Sequence, residues 1–185
     1  MDLVSHFRKM SRNNAWSNHR LYAACAALGD GEFKATRTSF FPSLHDTLNH
    51  ILAVDHYYID ALTDGGRGPA TFFEYTPIGN VKQLAAAQME SDRRLIAFCD
   101  SLGPADPARR VATDRGKAGK FDETIGDLLA HIFLHQIHHR GQAHAMLSGT
   151  TVKPPQLDEY FLDFDAAARS PDLIAAGIDG PEAIR

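Results

Sequence analysis

Five of the ten histidines in this sequence lie in one stretch, residues 121–147, and their spacing suits metal chemistry. If the stretch forms a helix, His135 and His139 lie one turn apart and only about 40° apart around its axis. Both fall within the apolar stripe of that helix, so their imidazoles would face the interior at one place. Two unpaired buried imidazoles are unfavourable unless something binds them, so this HxxxH pair predicts a metal site. The stripe consists of Ile125, Leu128, Ile132, Ala143 and Met146.

A third ligand could come from a second helix, predicted at about residues 44–62. His50 lies at the border of the apolar stripe of that helix. A lone histidine in such a place is usually an ordinary core residue, but beside an inward HxxxH pair it would complete a three-nitrogen site. The candidate metal ligands are therefore His50, His135 and His139.

Neighbouring residues leave alternatives open for the ligand set. Asp46, one turn before His50, could be a further ligand or could orient a histidine, although its position just outside the stripe favours a surface role. His131 and His138 flank the stripe and could replace a ligand or carry protons beside it. The remaining histidines of these two helices are expected to face solvent or an interface, namely His45, His56 and His144.

Four long amphipathic segments must position these residues, and they are predicted at about 2–28, 44–62, 80–102 and 122–148. The last of them is expected to start at Asp122 or Thr124. A polar segment, residues 104–120, precedes the last helix and could contain a short extended piece at 109–113. After two prolines, residues 157–168 predict a short extra helix. The predicted fold class is all-α, a four-helix bundle with a short extra C-terminal helix. We expect a single domain at 1–168 and a loosely packed tail at 169–185.

Composition excludes several classes of protein. With 44% hydrophobic and 23% charged residues, the 185-residue chain is typical of one soluble globular domain. A net charge of −4 without a basic block gives no reason to expect a nucleic-acid partner. No apolar run has the length of a signal peptide or a membrane span, so no membrane partner is expected. Cys25 and Cys99 form no disulfide or CxxC pattern and fall on inward helix faces, which predicts reduced core thiols and a cytoplasmic location.

Three motifs resemble those of the DinB family: residues 14–18 (NAWSN), 48–55 (LNHILAVD) and 131–142 (HIFLHQIHHRGQ). The resemblance covers about residues 3–165. It implies a four-helix bundle of DinB/YfiT type that is often dimeric and holds a divalent metal through three histidines. Carried onto this sequence, those ligands are His50, His135 and His139. Relatives include transferases and isomerases that use low-molecular-weight thiols, so the resemblance implies a metal-dependent transferase or hydrolase acting on a small molecule in stress or detoxification.

Three imidazole ligands suit zinc or nickel and leave a coordination position open, as catalytic sites do. The residues between His135 and His139 include no glutamate, which argues against a zincin-type peptidase. Arg140 and Gln142 could contact a substrate, although an ion pair of Arg140 across the bundle is equally compatible with its position. The alternative to an enzyme is a non-catalytic metal-binding stress protein whose histidines stabilise the fold.

Apolar residues on the outer sides of two helices predict self-association, with a homodimer as the expected form. They lie on the second helix, away from His50, and on the last helix, away from His135. The residues concerned are Leu48, Leu52, Ile59, Phe133 and Ile137. Alternatively, the C-terminal segment that carries Phe161 and Phe164 could cover them.

Overall fold

The computed structural model describes residues 2–178, and helices make up most of this part of the chain. In chain order the helices are α1 (Leu3–Ala26), α2 (Asp30–Lys34), α3 (Leu44–Leu62), α4 (Ala70–Phe73), α5 (Val81–Ser101), α6 (Ile125–Leu147) and α7 (Ala166–Ala175). The four long helices α1, α3, α5 and α6 form a bundle, which confirms the predicted fold class. A small hairpin of strands β1 (Arg110–Asp114) and β2 (Lys120–Thr124) precedes α6.

Each long helix begins at a polar residue whose side chain accepts a hydrogen bond from a backbone N–H of the first turn. Such caps satisfy donors that have no partner within the helix. The capping residues are Asp2 for α1, Ser43 for α3, Asn80 for α5 and Thr124 for α6. These caps explain why the helices begin close to where the sequence predicts them.

Two apolar clusters fill the bundle, one at each end. The first joins the N-terminal parts of α1 and α6 to the C-terminal parts of α3 and α5, around Phe7, Ile59 and Leu128. The second joins the opposite parts of the same helices, around Leu21, Leu48 and Leu147. Helices α3 and α5 therefore run parallel to each other and antiparallel to α1 and α6, so residues 63–80 form a crossover connection.

The hairpin changes where the last long helix begins. Residues 121–123 belong to β2 and pair with β1, so the expectation that the helix starts at Asp122 is wrong. The alternative start is confirmed, because Thr124 is the N-cap and accepts a hydrogen bond from Asp127 N. Strand β1 confirms the extended piece expected at 109–113, whereas the sequence analysis did not find its partner strand.

The C-terminal helix α7 lies later than the 157–168 segment where a short helix was expected. It packs against α1 through a third apolar cluster that contains Trp16, Tyr160 and Leu173. An ion pair of 2.6 Å between Arg20 Nε and Asp172 Oδ2 fixes the same contact. Residues 169–178 are therefore packed on the bundle, not a loose tail, and residue 168 falls inside a helix. The rest of the predicted tail lies outside the described residues. The division of the chain into a domain at 1–168 and a tail at 169–185 stays a prediction.

The outward apolar faces expected on two helices are mostly inside the chain's own core. Leu48, Leu52, Ile59 and Phe133 are each at most 4% exposed, because α3 contacts both α5 and α6 and Phe133 stacks on Phe7. The expectation that these residues form an outer surface is wrong. The alternative expectation, that the C-terminal segment covers these residues, is also wrong, because residues of the two bundle clusters bury them.

Within residues 2–178, no helix combines the length and the apolar character that crossing a membrane requires.

Candidate metal centre

The three histidines predicted as metal ligands lie together where α3 packs against α6. His50 comes from α3, and His135 and His139 come from successive turns of α6. One ring nitrogen from each lies within 4.8 Å of the others, and the Nε2 atoms of His50 and His135 are 3.0 Å apart. Among the described residues, no other group of three potential ligands is found. The arrangement could hold a single metal ion.

The environment of the cluster keeps the three imidazoles neutral. Partial burial, with a contribution from His139, lowers the pKa of His50 to about 4. Burial and the neighbouring histidines, His139 first among them, lower the pKa of His135 to about 3. Burial also lowers the pKa of His139, against a hydrogen bond to Gln142 that raises it. Because an imidazole must be unprotonated to bind a metal, the cluster is in its binding form at neutral pH.

Hydrogen bonds orient the ring of His139. Its Nδ1 lies 2.8 Å from Gln142 Oε1, and because an amide oxygen only accepts, Nδ1 carries the proton and Nε2 has a free lone pair. An outer partner of this kind fixes the tautomer of metal-binding histidines. The Nδ1 atom of His135 is buried and has no hydrogen-bond partner. The nitrogen of His135 that faces the cluster is Nε2, so the support for metal binding comes from His139, whose Nε2 has a free lone pair.

Phe41 covers one side of the cluster. It lies in the loop before α3, and its ring centroid is 4.2 Å from that of His50 and 5.5 Å from that of His139. An aromatic ring there excludes water from that side of the imidazoles. Sequence reasoning missed this contact. The signal was present in the apolar pair Phe40-Phe41 directly before the helix that carries His50.

A sequence model of the DinB family matches residues 3–171 of the chain. The chain belongs to the DinB family. Protein DinB of Bacillus subtilis (strain 168) is 22% identical over 144 residues, which cover 75% of this chain and 83% of that protein. The resemblance expected from the three sequence motifs is confirmed. The residues that match the family model include all three clustered histidines.

The other candidate ligands of this DinB-family chain lie beside the cluster. Asp46 Oδ2 accepts a hydrogen bond from Ser43 Oγ, and the backbone N–H of Asp46 donates to the same Oγ, so Asp46 supports the Ser43 cap of α3. Its Oδ1 lies 2.9 Å from Nδ1 of His45 and orients that ring. His131 is exposed and packs on Tyr58, and its ring centroid is 6.2 Å from that of His135. His138 is also exposed, and its Nε2 lies 3.2 Å from Gln142 Nε2. These residues border the three-histidine cluster without joining it.

Two histidines that were expected to face solvent or an interface instead contact other parts of the chain. His45 is half-buried and its ring meets the edge of Phe33 at a centroid distance of 5.9 Å. Nε2 of His144 lies 2.9 Å from the backbone oxygen of Pro155 and so donates to it. The expectation was wrong at both positions because helix geometry shows the direction of a side chain but not which loop covers it.

A buried polar layer lies between the two apolar clusters, at the level of the metal centre. Arg140 is only 5% exposed and donates hydrogen bonds to Asn14, Asn18 and Gln136. Asp92 accepts from both asparagines, which joins α1, α5 and α6. Arg140 therefore reaches across the bundle, but through hydrogen bonds to amide side chains and not through the ion pair given as one alternative. The sequence analysis did not find the layer as a whole.

Burial shifts the pKa values of the charged members of this layer. It raises the pKa of Asp55 to about 7 and that of Asp92 to about 6. It lowers the pKa of Arg140 to about 10, while the two nearby carboxylates act in the opposite direction. Removing ions from water disfavours their charged forms, so these side chains remain charged only where hydrogen bonds and opposite charges compensate.

Proposed function

We propose that this DinB-family protein binds one divalent metal ion, zinc or nickel, through His50, His135 and His139. We further propose that it is a metal-dependent transferase of the thiol S-transferase kind, or a hydrolase, acting on a small molecule in stress or detoxification. The observation that carries this proposal is the convergence of three imidazole nitrogens within 4.8 Å. A set of three neutral nitrogens suits either ion and leaves a coordination position for a substrate.

A bound ion of this kind lowers the pKa of a water or thiol that binds to it, which yields a nucleophile near neutral pH. The protein's own groups have simpler roles. Gln142 keeps the proton of His139 on Nδ1, and Phe41 excludes water from one side of the cluster. His131 and His138, at the exposed border, can accept and release protons there.

A thiol transfer makes fewer demands on the protein than a peptidase reaction. The cluster contains no carboxylate among the described residues, so no built-in general base like that of a zincin lies beside it. A thiolate attacks an electrophile directly and needs no such base. This observation favours thiol transfer over hydrolysis.

The same lack of a carboxylate in the described cluster also fits the alternative, a non-catalytic metal-binding stress protein. A closed coordination shell that stabilises the fold needs no base. The two proposals differ in one property, which is whether the bound ion keeps a position that exchanges with small molecules.

The test is a screen of metal-loaded protein with a low-molecular-weight thiol and a small aromatic electrophile, and in parallel with small esters. We expect metal-dependent thiol consumption that is lost in His139→Ala and retained in His144→Ala. His144 is the matched control because it lies on the same helix outside the cluster. If loaded wild-type protein is no faster than His139→Ala in either assay, the catalytic proposal is wrong and the binding protein is favoured.

We also propose that the protein forms a homodimer, through a surface on α6 that keeps only Ile137 of the five residues that the sequence suggested. The outer side of α6 exposes Leu134 and Ile137 at 68% and 50%, which is unusual for large apolar side chains on a solvent-facing helix. Sedimentation at micromolar concentration should show a dimer that Leu134→Glu converts to a monomer. A wild-type protein that sediments strictly as a monomer would overturn this proposal.

A further inference from the structure

Seven polar side chains form the buried layer of the bundle, and none is more than 5% exposed. They come from all four long helices. The members are Asn14, Asn18, Asp55, Gln88, Asp92, Gln136 and Arg140. The ionisable groups among them are two carboxylates and one guanidinium. If all three are ionised, the layer carries one uncompensated negative charge inside the protein, which is strongly unfavourable.

One bound proton would remove that excess charge, and hydrogen-bond counting identifies the carboxyl group that holds it. Asp92 uses both oxygens. Its Oδ1 accepts from Asn14, Asn18 and Gln88 at 3.0, 3.0 and 3.2 Å, and its Oδ2 accepts from Asn18 at 3.1 Å. Hydrogen bonds to the ionised form favour ionisation, so Asp92 is the carboxylate that balances Arg140.

Asp55 is hydrogen-bonded on one oxygen only. Its Oδ2 accepts from Gln88 Nε2 at 2.8 Å and from Gln136 Nε2 at 2.5 Å. Its Oδ1 is buried and has no partner, and the same is true of Gln88 Oε1. Two acceptor oxygens of adjoining groups therefore lack a hydrogen-bond donor. Native protein interiors rarely contain such unsatisfied acceptors.

Rotating the amide groups does not remove this mismatch. Gln136 Oε1 accepts from Arg140, which can only donate, so Nε2 of Gln136 must face Asp55. Nε2 of Gln88 lies between the two carboxyl groups and donates to both, so turning that amide would place its oxygen against two acceptors. Two buried hydroxyl groups, Tyr22 Oη and Ser91 Oγ, also lack partners, but neither forms a hydrogen bond to Asp55 Oδ1 or to Gln88 Oε1. We therefore assign the missing donor to Asp55 itself.

We infer that Asp55 is held as a neutral carboxylic acid whose Oδ1 hydrogen is donated to Gln88 Oε1. One proton then satisfies both unpartnered acceptors and neutralises the layer. The acid joins α3, which carries His50, to α6, which carries His135 and His139, and also to α5. Asp55 is thus a positioning residue for the histidine cluster.

The charged and titratable groups around Asp55 agree with this assignment. Asp92 on α5 and burial raise the pKa of Asp55 to about 7, while Arg140 on α6 and the two glutamines act in the opposite direction. Tyr22 on α1 is fully buried and its pKa is raised, so it stays neutral. A carboxyl group whose pKa is higher in the folded than in the unfolded protein stabilises the fold at low pH. That contribution is lost as the pH rises through about 7.

The test compares two isosteric variants in chelator, so that no metal contributes. Asp55→Asn mimics the acid, because its amide can donate to Gln88 and accept from Gln136. Relative to wild type, its unfolding equilibrium constant should fall about tenfold per pH unit between roughly pH 4 and pH 7, then stay level. Asp92→Asn should raise the unfolding constant at least about tenfold near pH 7, because it removes the charge that balances Arg140.

Infrared or 13C NMR spectra of isotope-labelled aspartate report the proton directly. In a titration of wild-type protein from pH 5 to pH 9, the last buried carboxyl group to lose its proton should be Asp55, after Asp92 has ionised, and Asp55→Asn should remove its signal. A wild-type spectrum without that signal, or a signal lost only in Asp92→Asn, would overturn the inference even if one variant fails to fold. The positioning role is tested by the imidazole resonances of His50 and His135. Asp55→Leu should shift these resonances, whereas Asp55→Asn should leave them near their wild-type positions. Equal shifts in the two variants would contradict the positioning role.

Discussion

Arg140→Met is predicted to destabilise the protein strongly and in a pH-dependent way. Methionine retains much of the length of the arginine side chain but removes its charge and its donors. Asn14, Asn18 and Gln136 each lose a donor to a buried oxygen, and Asp92 loses its balancing charge. Arg140 and Asp92 interact through the two asparagines and not as a direct ion pair, and removing one of two balancing buried charges costs up to about 3–5 kcal/mol.

That cost corresponds to a fall in melting temperature of about 6–20 °C, since a domain of this size loses roughly 2–4 °C per kcal/mol. The penalty should shrink at low pH. Without the guanidinium the pKa of Asp92 rises further above its unfolded value, so the folded variant gains protons and stability as the pH falls. Relative to wild type, the gain is about 1.4 kcal/mol per pH unit from the raised pKa of the variant down to about 6, where Asp92 of the wild type also becomes protonated.

The assay is urea unfolding at pH 5 and pH 8 in the presence of chelator, which removes any contribution of bound metal. Arg93→Met is the control, because Arg93 is exposed and only weakly paired with Glu90 at 3.5 Å, so its loss should stay below about 0.5 kcal/mol. An Arg140→Met penalty under about 1 kcal/mol at pH 8, or one equally large at pH 5, would refute the reasoning.

Two further predictions concern the thiols and the effect of pH on the metal centre. Cys25 and Cys99 are fully buried, and burial raises the pKa of each thiol to about 12. A thiol reagent should therefore leave both unmodified in the native protein. Loss of metal or activity in Cys99→Ala would contradict a purely structural role. The lowered pKa values of the clustered histidines mean that protons compete weakly with metal, so zinc affinity should change little between pH 7.5 and pH 6 in a competition titration. A fall of about tenfold per pH unit across that range would show that the imidazoles titrate near the ordinary value of ~6.5.

The three-histidine cluster could be predicted because its residues obey simple helix geometry. His135 and His139 are one turn apart, and His50 lies on the facing side of a helix that packs against them. The aromatic cover could not be predicted in the same way. Phe41 reaches the cluster from an irregular loop, whose path depends on tertiary packing and has no period to read.

The buried polar layer was missed because polar side chains were assigned to outer helix faces. Asp55, Gln88 and Asp92 are inward but polar, so they interrupt the apolar stripes that periodicity detects. Their burial depends on partners from other helices, and a single helix does not reveal those partners. The same limit applied to Leu48 and Leu52, which looked like an outer surface because α3 is apolar on more than one side and is covered on each.

Metal analysis of untagged protein tests the central claim most directly. Wild-type protein should carry one zinc or nickel ion per chain, and alanine at His50, His135 or His139 should empty the site. His138→Ala and His144→Ala should keep the ion. Chelator should lower the melting temperature by about 5–10 °C without unfolding the bundle, since a hundredfold excess of metal over Kd contributes about 2.7 kcal/mol. Stoichiometric metal retained in His139→Ala but lost in His138→Ala would contradict the assigned ligand set.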